Sequence, residues 1–336
     1  MDKREVVKAA IAHRQCAALP YAIMFARDAL DLYGDRLLAD FVSGWAKTEY
    51  EKGRLEREEA ISLGIGNSVF AFGCPWWDWY DLPETYTDYD APKALPKTMG
   101  RGSYVGFADR IKAIKEATGC YMLVTIWGSH FEKAYFARGI ENFLADMAGE
   151  PEYAKALLNM IIRKNMVMLE NIVNIPEIDG ILLGSDWGSQ KSLLMSPDVW
   201  HEMIAPGEQV EYDLIHSAGK DVWVHSCGNV EAIMGDLVKM GVDVLNPVQP
   251  ECMDLAKIKR LHGDKLTFWG GVSTQQTLPY GTPDQVKAEV SQVVEILGQG
   301  GGYILAPAQS IQSDVPYENA CAMIAEAQKR FTLEVY

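Results

Sequence analysis

Residues 221–240 open as Asp221-Val222-Trp223-Val224-His225, turn through Ser226-Cys227-Gly228-Asn229, and continue into a helical pattern over 230–240. Val222, Trp223 and Val224, β-branched or aromatic, make a strand with their two neighbours, glycine and asparagine turn the chain, and the apolar spacing that follows is helical. The same order of strand, loop and amphipathic helix recurs along the chain. Strands are predicted at 68–72, 121–126, 180–183, 221–225, 242–246, 266–269 and 302–305, and helices at 153–173, 200–217, 230–240, 283–297 and 316–330. Thr282-Pro283 and Ser196-Pro197 each place a capping residue before a first-turn proline. Strands alternating with helices pair in parallel through right-handed crossovers. Seven such units, with segment 18–25 as an eighth, predict an α/β chain folded as a single-domain TIM (β/α)8 barrel over 1–336. A doubly wound sheet would carry a glycine-rich phosphate turn after an early strand, but no GxGxxG occurs and Gly300-Gly301-Gly302 precedes a strand. Residues 74–104, rich in Trp, Tyr, Asp and Pro, read as an elaborated loop or lid.

The 336 residues carry 31 Lys+Arg against 46 Asp+Glu, a formal net charge of −15. That balance argues against nucleic acid and anionic membranes as partners, because both need clustered Lys/Arg. It argues equally against a pocket built for a polyanion. No apolar run is long enough for a bilayer. Residues 1–14 read as a charged helix rather than a secretory signal, so the expectation is a cytoplasmic protein. The six cysteines include no CxxC and are expected to be reduced.

In a parallel barrel the groups just past each strand's C-terminal end converge on one face. Those positions hold His130, Asp186, Trp187, His225, Cys227, Gln249, Glu251 and Gln309. His225 and Cys227 are the sharpest pair: residues i and i+2 on a strand lean to the same side. Imidazole and thiolate side by side suit zinc, and a bound metal deprotonates the thiol. Two other readings of the pair stay open. One is a buried small cysteine beside a hydrogen-bonded histidine; the other is a Cys–His nucleophile pair, which lacks a third orienting group. The aromatic run containing Trp76 and Trp77 offers flat apolar surface for a ring or a corrin edge, or simply packs as a lid. Gly270-Gly271 is expected to allow close backbone approach.

Several of these motifs together resemble the uroporphyrinogen decarboxylase superfamily. They are Arg4-Glu5-Val6-Val7-Lys8-Ala9-Ala10 with His13, Gly184-Ser185-Asp186-Trp187-Gly188, His225-Ser226-Cys227-Gly228-Asn229, Asn246-Pro247-Val248-Gln249-Pro250-Glu251, Phe268-Trp269-Gly270-Gly271, and Ala306-Pro307 with Asp314-Val315-Pro316. The resemblance implies a TIM barrel and one of two chemistries, metal-free porphyrinogen decarboxylation or zinc-dependent methyl transfer with corrinoid proteins. Decarboxylases of the superfamily hold their polycarboxylate substrate with an arginine-rich N-terminal motif. Here the matching stretch, Met24-Phe25-Ala26-Arg27-Asp28-Ala29-Leu30, has one arginine beside an aspartate, which disfavours that substrate.

The methyltransferase branch resembles the chain at His225 and Cys227, where it carries a His-x-Cys zinc pair. That branch takes its third ligand from a cysteine after the last strand, where this chain has Gln309. The next cysteine, Cys321, falls in a helical pattern and reads as core. A carboxylate, Asp186 or Glu251, is the expected replacement. The resulting expectation is a corrinoid-dependent methyltransferase acting on a small methylated substrate, such as a methoxylated compound. Its metal is zinc on His225 and Cys227, with Asp186 and Glu251 catalytic and Trp76, Trp77, His130, Trp187, Gln249 and Gln309 at the substrate. No Asp-x-His-x-x-Gly corrinoid signature occurs, so cobalamin would arrive on a separate protein, and assembly of the chain into an oligomer stays open. The alternatives are a metal-free decarboxylase or lyase on a small non-porphyrin substrate, or a ligand-binding member without activity.

Overall fold

Among the described residues seven strands are found: β1 (Val69–Gly73), β2 (Tyr121–Ile126), β3 (Gly180–Gly184), β4 (Asp221–His225), β5 (Val244–Asn246), β6 (Thr267–Val272) and β7 (Tyr303–Pro307). The computed structural model describes residues 2–74 and 104–331, without the side chains of 104 and 105. Most of the predicted lid, with Trp76 and Trp77, lies outside the described residues. All seven strands fall where the sequence predicts them, and helices separate them. The described chain divides into two compact units, Met1–Phe70 with Ile114–Met122 and Asp243–Tyr336, and Ala71–Ala113 with Leu123–Val242. In each unit the strands follow chain order and run parallel, as in a TIM-like α/β fold. No described helix is long and apolar enough to cross a membrane.

In the second unit β3 pairs with β2 from Leu123↔Gly180 to Ile126↔Leu183 and with β4 from Gly180↔Asp221 to Gly184↔His225. Every residue of β2 and β3 is buried, the continuous apolar run of a parallel strand covered on both faces. The register sets Gly184 opposite His225, so β3 and β4 end level and the residues after each become neighbours. That consequence of pairing builds the site described below.

In the first unit β5, β6 and β7 pair in parallel, from Val244↔Thr267 and from Phe268↔Tyr303 through Val272↔Pro307. Segment 18–25 forms no extended strand. It makes two isolated parallel bridges, Tyr21↔Leu305 and Phe25↔Ile311. On the other side the Ser68 amide donates to the Tyr21 carbonyl at 2.8 Å, and the Ile23 amide donates to Asn67 Oδ1 at 2.9 Å. The Asn67 side-chain amide returns a bond to the Ile23 carbonyl, also at 2.9 Å. The segment is therefore hydrogen-bonded on both sides, partly by an asparagine side chain in place of a backbone ladder, and Pro20 has no N–H to contribute. Gly270 has φ +137°, and a Cβ there would collide with the Pro247 carbonyl, so this is the close approach the paired glycines predict.

Two predicted caps are present. The Thr282 side chain accepts from the Gln285 amide in a capping box that starts Pro283–Leu297, and Ser196 accepts from the Val199 amide. The predicted helix 200–217 is interrupted. Its first turn, Trp200–Ile204, is a π-helix, and the α-helix Ala205–Ser217 follows. Pro206 has no N–H and cannot continue an α-ladder through this point, which leaves the wider turn.

Candidate metal centre

Asp186 lies two residues past β3, and His225 and Cys227 close β4 and open its loop. Cys227 Sγ is 3.4 Å from His225 Nε2, and the same nitrogen is 3.5 Å from Asp186 Oδ1. One donor atom from each residue lies within 4.8 Å of the other two. The Cys227 amide donates to Asp186 Oδ1 at 2.8 Å. A carboxylate has two oxygens and several lone pairs, so fixing the loop and facing the imidazole are compatible roles. The loops are locked from behind. Asn229 N–H donates to the Ser189 carbonyl at 2.8 Å, and the Gly188 and Gly228 backbones pack too closely for a Cβ on either. Gly228 also has φ +79°, a conformation that favours glycine. The side chain of His225 is 8% exposed and that of Asp186 35%, so the cluster opens on the Asp186 side.

Three groups around the cluster carried no individual signal in sequence. Trp127, 42% exposed, stands edge-on to the His225 ring at 5.0 Å between centroids and 81° between planes. The helix His130–Arg138 begins three residues later and carries Glu132 and Tyr135, half-buried, with Tyr135 Oη donating to Glu132 Oε1 at 3.0 Å. Burial, and then the charge of Asp186, push Glu132 up to about 7. Burial, reinforced by Glu132, Asp186 and Cys227, pushes the Tyr135 phenol above its usual range. A strand-end rule finds residues in the first two loop positions; these two sit further along, on the first turns of a helix.

Trp187 and His130 do not stand where a substrate could reach them. Trp187 is fully buried, packs edge-to-face on Trp200 at 5.4 Å, and donates its amide to Ser226 Oγ at 3.0 Å. Its indole anchors the loop that presents Asp186. His130 is also fully buried, although the sequence reading sets it at the substrate.

His130 belongs to a second cluster that sequence reasoning missed. Its Nδ1 is 3.4 Å from Glu208 Oε1 and 3.7 Å from Glu211 Oε2, and its Nε2 is 3.2 Å from the Ile204 carbonyl. Ser129 Oγ donates to Glu211 Oε2 at 3.1 Å, and Asn165 Nδ2 donates to Glu211 Oε1 at 2.8 Å. Lys133, also fully buried, donates to the Gly128 carbonyl. Burial pushes Glu208 up to about 7 and pulls Lys133 down to about 8. Burial alone would lower His130, but Glu208 and Glu211 overcome it and hold the imidazole above its usual range. The sequence signal was a Glu-x-x-Glu pair at i,i+3, which by pattern alone reads as a solvated helix face.

The remaining predicted residues lie in the first unit. Gln249 is buried and its carbonyl accepts from the Cys252 and Met253 amides at 3.1 Å each. Glu251 accepts from Ser273 Oγ through Oε1, while its Oε2 has no hydrogen-bond partner among the described residues. Gln309 accepts from the Ser310 amide at 2.9 Å and lines a small cleft with Asn246 and Trp269. Cys321 is half-buried within the helix Tyr317–Phe331.

Residues 83–330 match the family described as uroporphyrinogen decarboxylase (URO-D). Two curated relatives, both methylcobamide:CoM methyltransferase MtaA, come from Methanosarcina barkeri and from its strain Fusaro. They are 33% and 31% identical over 132 residues, 39% of this chain and 37% of each relative. The match thus spans well under half the length of these relatives. A solved methyltransferase from Methanosarcina mazei superposes with a TM-score of 0.72 at 19% identity, covering 99% of this chain and 100% of that one, and so shares the fold.

Proposed function

Because this chain belongs to the uroporphyrinogen decarboxylase family, we propose that it is a methyltransferase of corrinoid-dependent methyl metabolism rather than a porphyrinogen decarboxylase. One observation carries the reading: a thiol, an imidazole and a carboxylate from two adjacent strand ends share one 4.8 Å space. Their separations of 3.4 and 3.5 Å suit a single ion, since donors about 2.0–2.3 Å from zinc lie roughly 3.3–3.7 Å apart in a tetrahedron. Asp186, His225 and Cys227 are the residues that would hold it, with Asp186 in place of the cysteine that Gln309 does not supply. When bound, zinc supplies Lewis acidity at the heteroatom that gains or loses the methyl group.

The chain's own groups divide the remaining work. Trp127 walls the imidazole. Glu132 holds a proton near neutrality beside Asp186, where it can protonate a leaving oxygen or accept a proton from an incoming thiol. Trp187 orients the Asp186 loop. Gln249, Glu251 and Gln309 stay candidates for substrate contact, as do Trp76 and Trp77, while His130 and Trp187 do not. The similarity to the MtaA proteins supports a separate corrinoid protein as methyl carrier and a small methylated compound or thiol at the other end.

The test is metal analysis and turnover on the same samples. Loss of one equivalent of zinc in His225→Ala and in Cys227→Ala, with loss of methyl transfer from a methylated corrinoid protein, is the expected result. Metal content and turnover indifferent to both changes would sink the proposal.

A further inference from the structure

The surroundings of His130 leave a positive charge to be accounted for. A backbone carbonyl can only accept, so the 3.2 Å contact to Ile204 makes His130 Nε2 the protonated nitrogen. In the neutral ring Nδ1 then presents a lone pair, and it faces Glu208 Oε1 and Glu211 Oε2. Ser129 Oγ lies 3.3 Å from His130 Nδ1 and 3.1 Å from Glu211 Oε2, and its single proton can serve only one of these acceptors at a time. Glu208 Oε1 has no hydrogen-bond partner among the described residues, although Glu208 is 1% exposed and that oxygen points at the imidazole. Three lone pairs converge in a sealed interior, so a proton, on Nδ1 or on a carboxyl oxygen, or a metal ion must sit among them.

Distance separates the two occupants. A charge-assisted N–H···O bond runs about 2.7–2.9 Å. The observed 3.4 and 3.7 Å exceed that; the first falls within, and the second lies just beyond, the roughly 3.3–3.5 Å between donors that each lie about 2.1 Å from one ion. The supporting bonds also follow the pattern of a metal site. The far nitrogen of the histidine is fixed by a carbonyl, and the Glu211 oxygens are oriented by Asn165 and Ser129. Glu208 and Glu211 stand at i,i+3 on one helix face, and His130 starts another helix.

We propose that His130, Glu208 and Glu211 form a second, enclosed site for a divalent first-row cation of the zinc type, which clamps the start of the His130–Arg138 helix to Ala205–Ser217. Imidazole and carboxylate donors suit such an ion. With all three side chains at most 1% exposed, no position opens to a substrate, so the ion is structural. The clamp also holds Trp127-Gly128-Ser129, the loop that sets the tryptophan against His225. The site does not depend on the proposed methyl transfer, and its test needs no turnover.

The experiment uses the full chain carrying His225→Ala and Cys227→Ala, which removes the exposed centre, purified without chelator. Mass spectrometry should find about one equivalent of metal retained, falling at least about tenfold when Glu208→Gln is added. In a parallel arm the same double variant is unfolded and refolded with chelator, then titrated with zinc alone, and its thermal midpoint should rise with zinc. If Glu208→Gln does not fold, the refolding arm decides. Metal-free double variant with a midpoint indifferent to zinc would overturn the proposal and assign the space to a proton shared by His130 and the carboxylates.

Discussion

The two histidine-carboxylate clusters of the second unit use overlapping donors in opposite surroundings. Asp186, His225 and Cys227 sit on loop ends, with the aspartate about a third exposed and a soft thiol among the donors. His130, Glu208 and Glu211 sit on helices, sealed from water, with an imidazole and two carboxylates and no thiol among the donors. An open cluster with a polarisable ligand suits chemistry on something that arrives; a closed one suits holding the fold. The same contrast predicts opposite penalties on mutation. Glu211→Ala strips acceptors from Asn165 and Ser129 and leaves buried His130 and Lys133 under-compensated, at a cost of about 3–5 kcal/mol. Asp186→Ala loses one backbone acceptor at a partly exposed position, about 1 kcal/mol. Denaturant unfolding of both variants compares them, and equal costs would erase the distinction drawn here.

A smaller effect reads out what fills the sealed cluster. Glu208, pushed by burial to about 7 from 4.5, and His130, held above 6.5, both bind protons more tightly folded than unfolded. Metal-free, their contribution is complete below about pH 4.5 and is lost as pH rises through about 7, at no more than about 1.4 kcal/mol per pH unit for each proton. Lys133, lowered to about 8 by burial, runs the other way, but only above that value, so pH 5–7.5 is its quiet range. Glu132 shares the sign of Glu208, and comparing Glu132→Gln with Glu208→Gln separates the two. A bound cation inverts the trend, because its ligands must be deprotonated and its hold tightens as pH rises. Unfolding free energy should therefore rise from pH 5 to 7.5 in the metal-replete protein and fall after refolding in chelator. A falling curve in both would favour the proton.

How legible these clusters were follows from how each is coded. His225 and Cys227 are two apart on one strand, and Asp186 follows the neighbouring strand, so period-2 geometry and parallel pairing sufficed. The strands were equally plain, since β2, β3 and β7 are unbroken buried runs. The sealed cluster draws on residues 130, 165, 208 and 211, which meet only through helix packing, and packing has no local period to read. Segment 18–25, read as the eighth unit, forms only isolated bridges, because part of its pairing is with the Asn67 side chain, which no backbone pattern announces. Pro206 was visible beside the π-turn at Trp200–Ile204, yet the contact of the Ile204 carbonyl with His130 was not.

The smallest predicted effect tests whether the two clusters are independent. Trp127 is 42% exposed, so Trp127→Ala should cost under about 1 kcal/mol of stability. Its ring edge fixes the His225 imidazole, and loss of such an outer partner lowers metal affinity about 10–100-fold. Trp127→Phe keeps an aromatic edge and should recover most of it. The same loop is tied to the sealed cluster by the Lys133 bond to Gly128 and the Ser129 bond to Glu211. If that tie sets the pose of Trp127, Glu211→Gln should weaken zinc binding at Cys227 in the parent protein but hardly at all when Trp127 is already alanine. Unconnected clusters would instead give additive losses within about 0.5 kcal/mol. Zinc competition on the four proteins of this double-mutant cycle measures the difference, and additivity would leave the sealed cluster as a clamp on the helices with no hold on the open one.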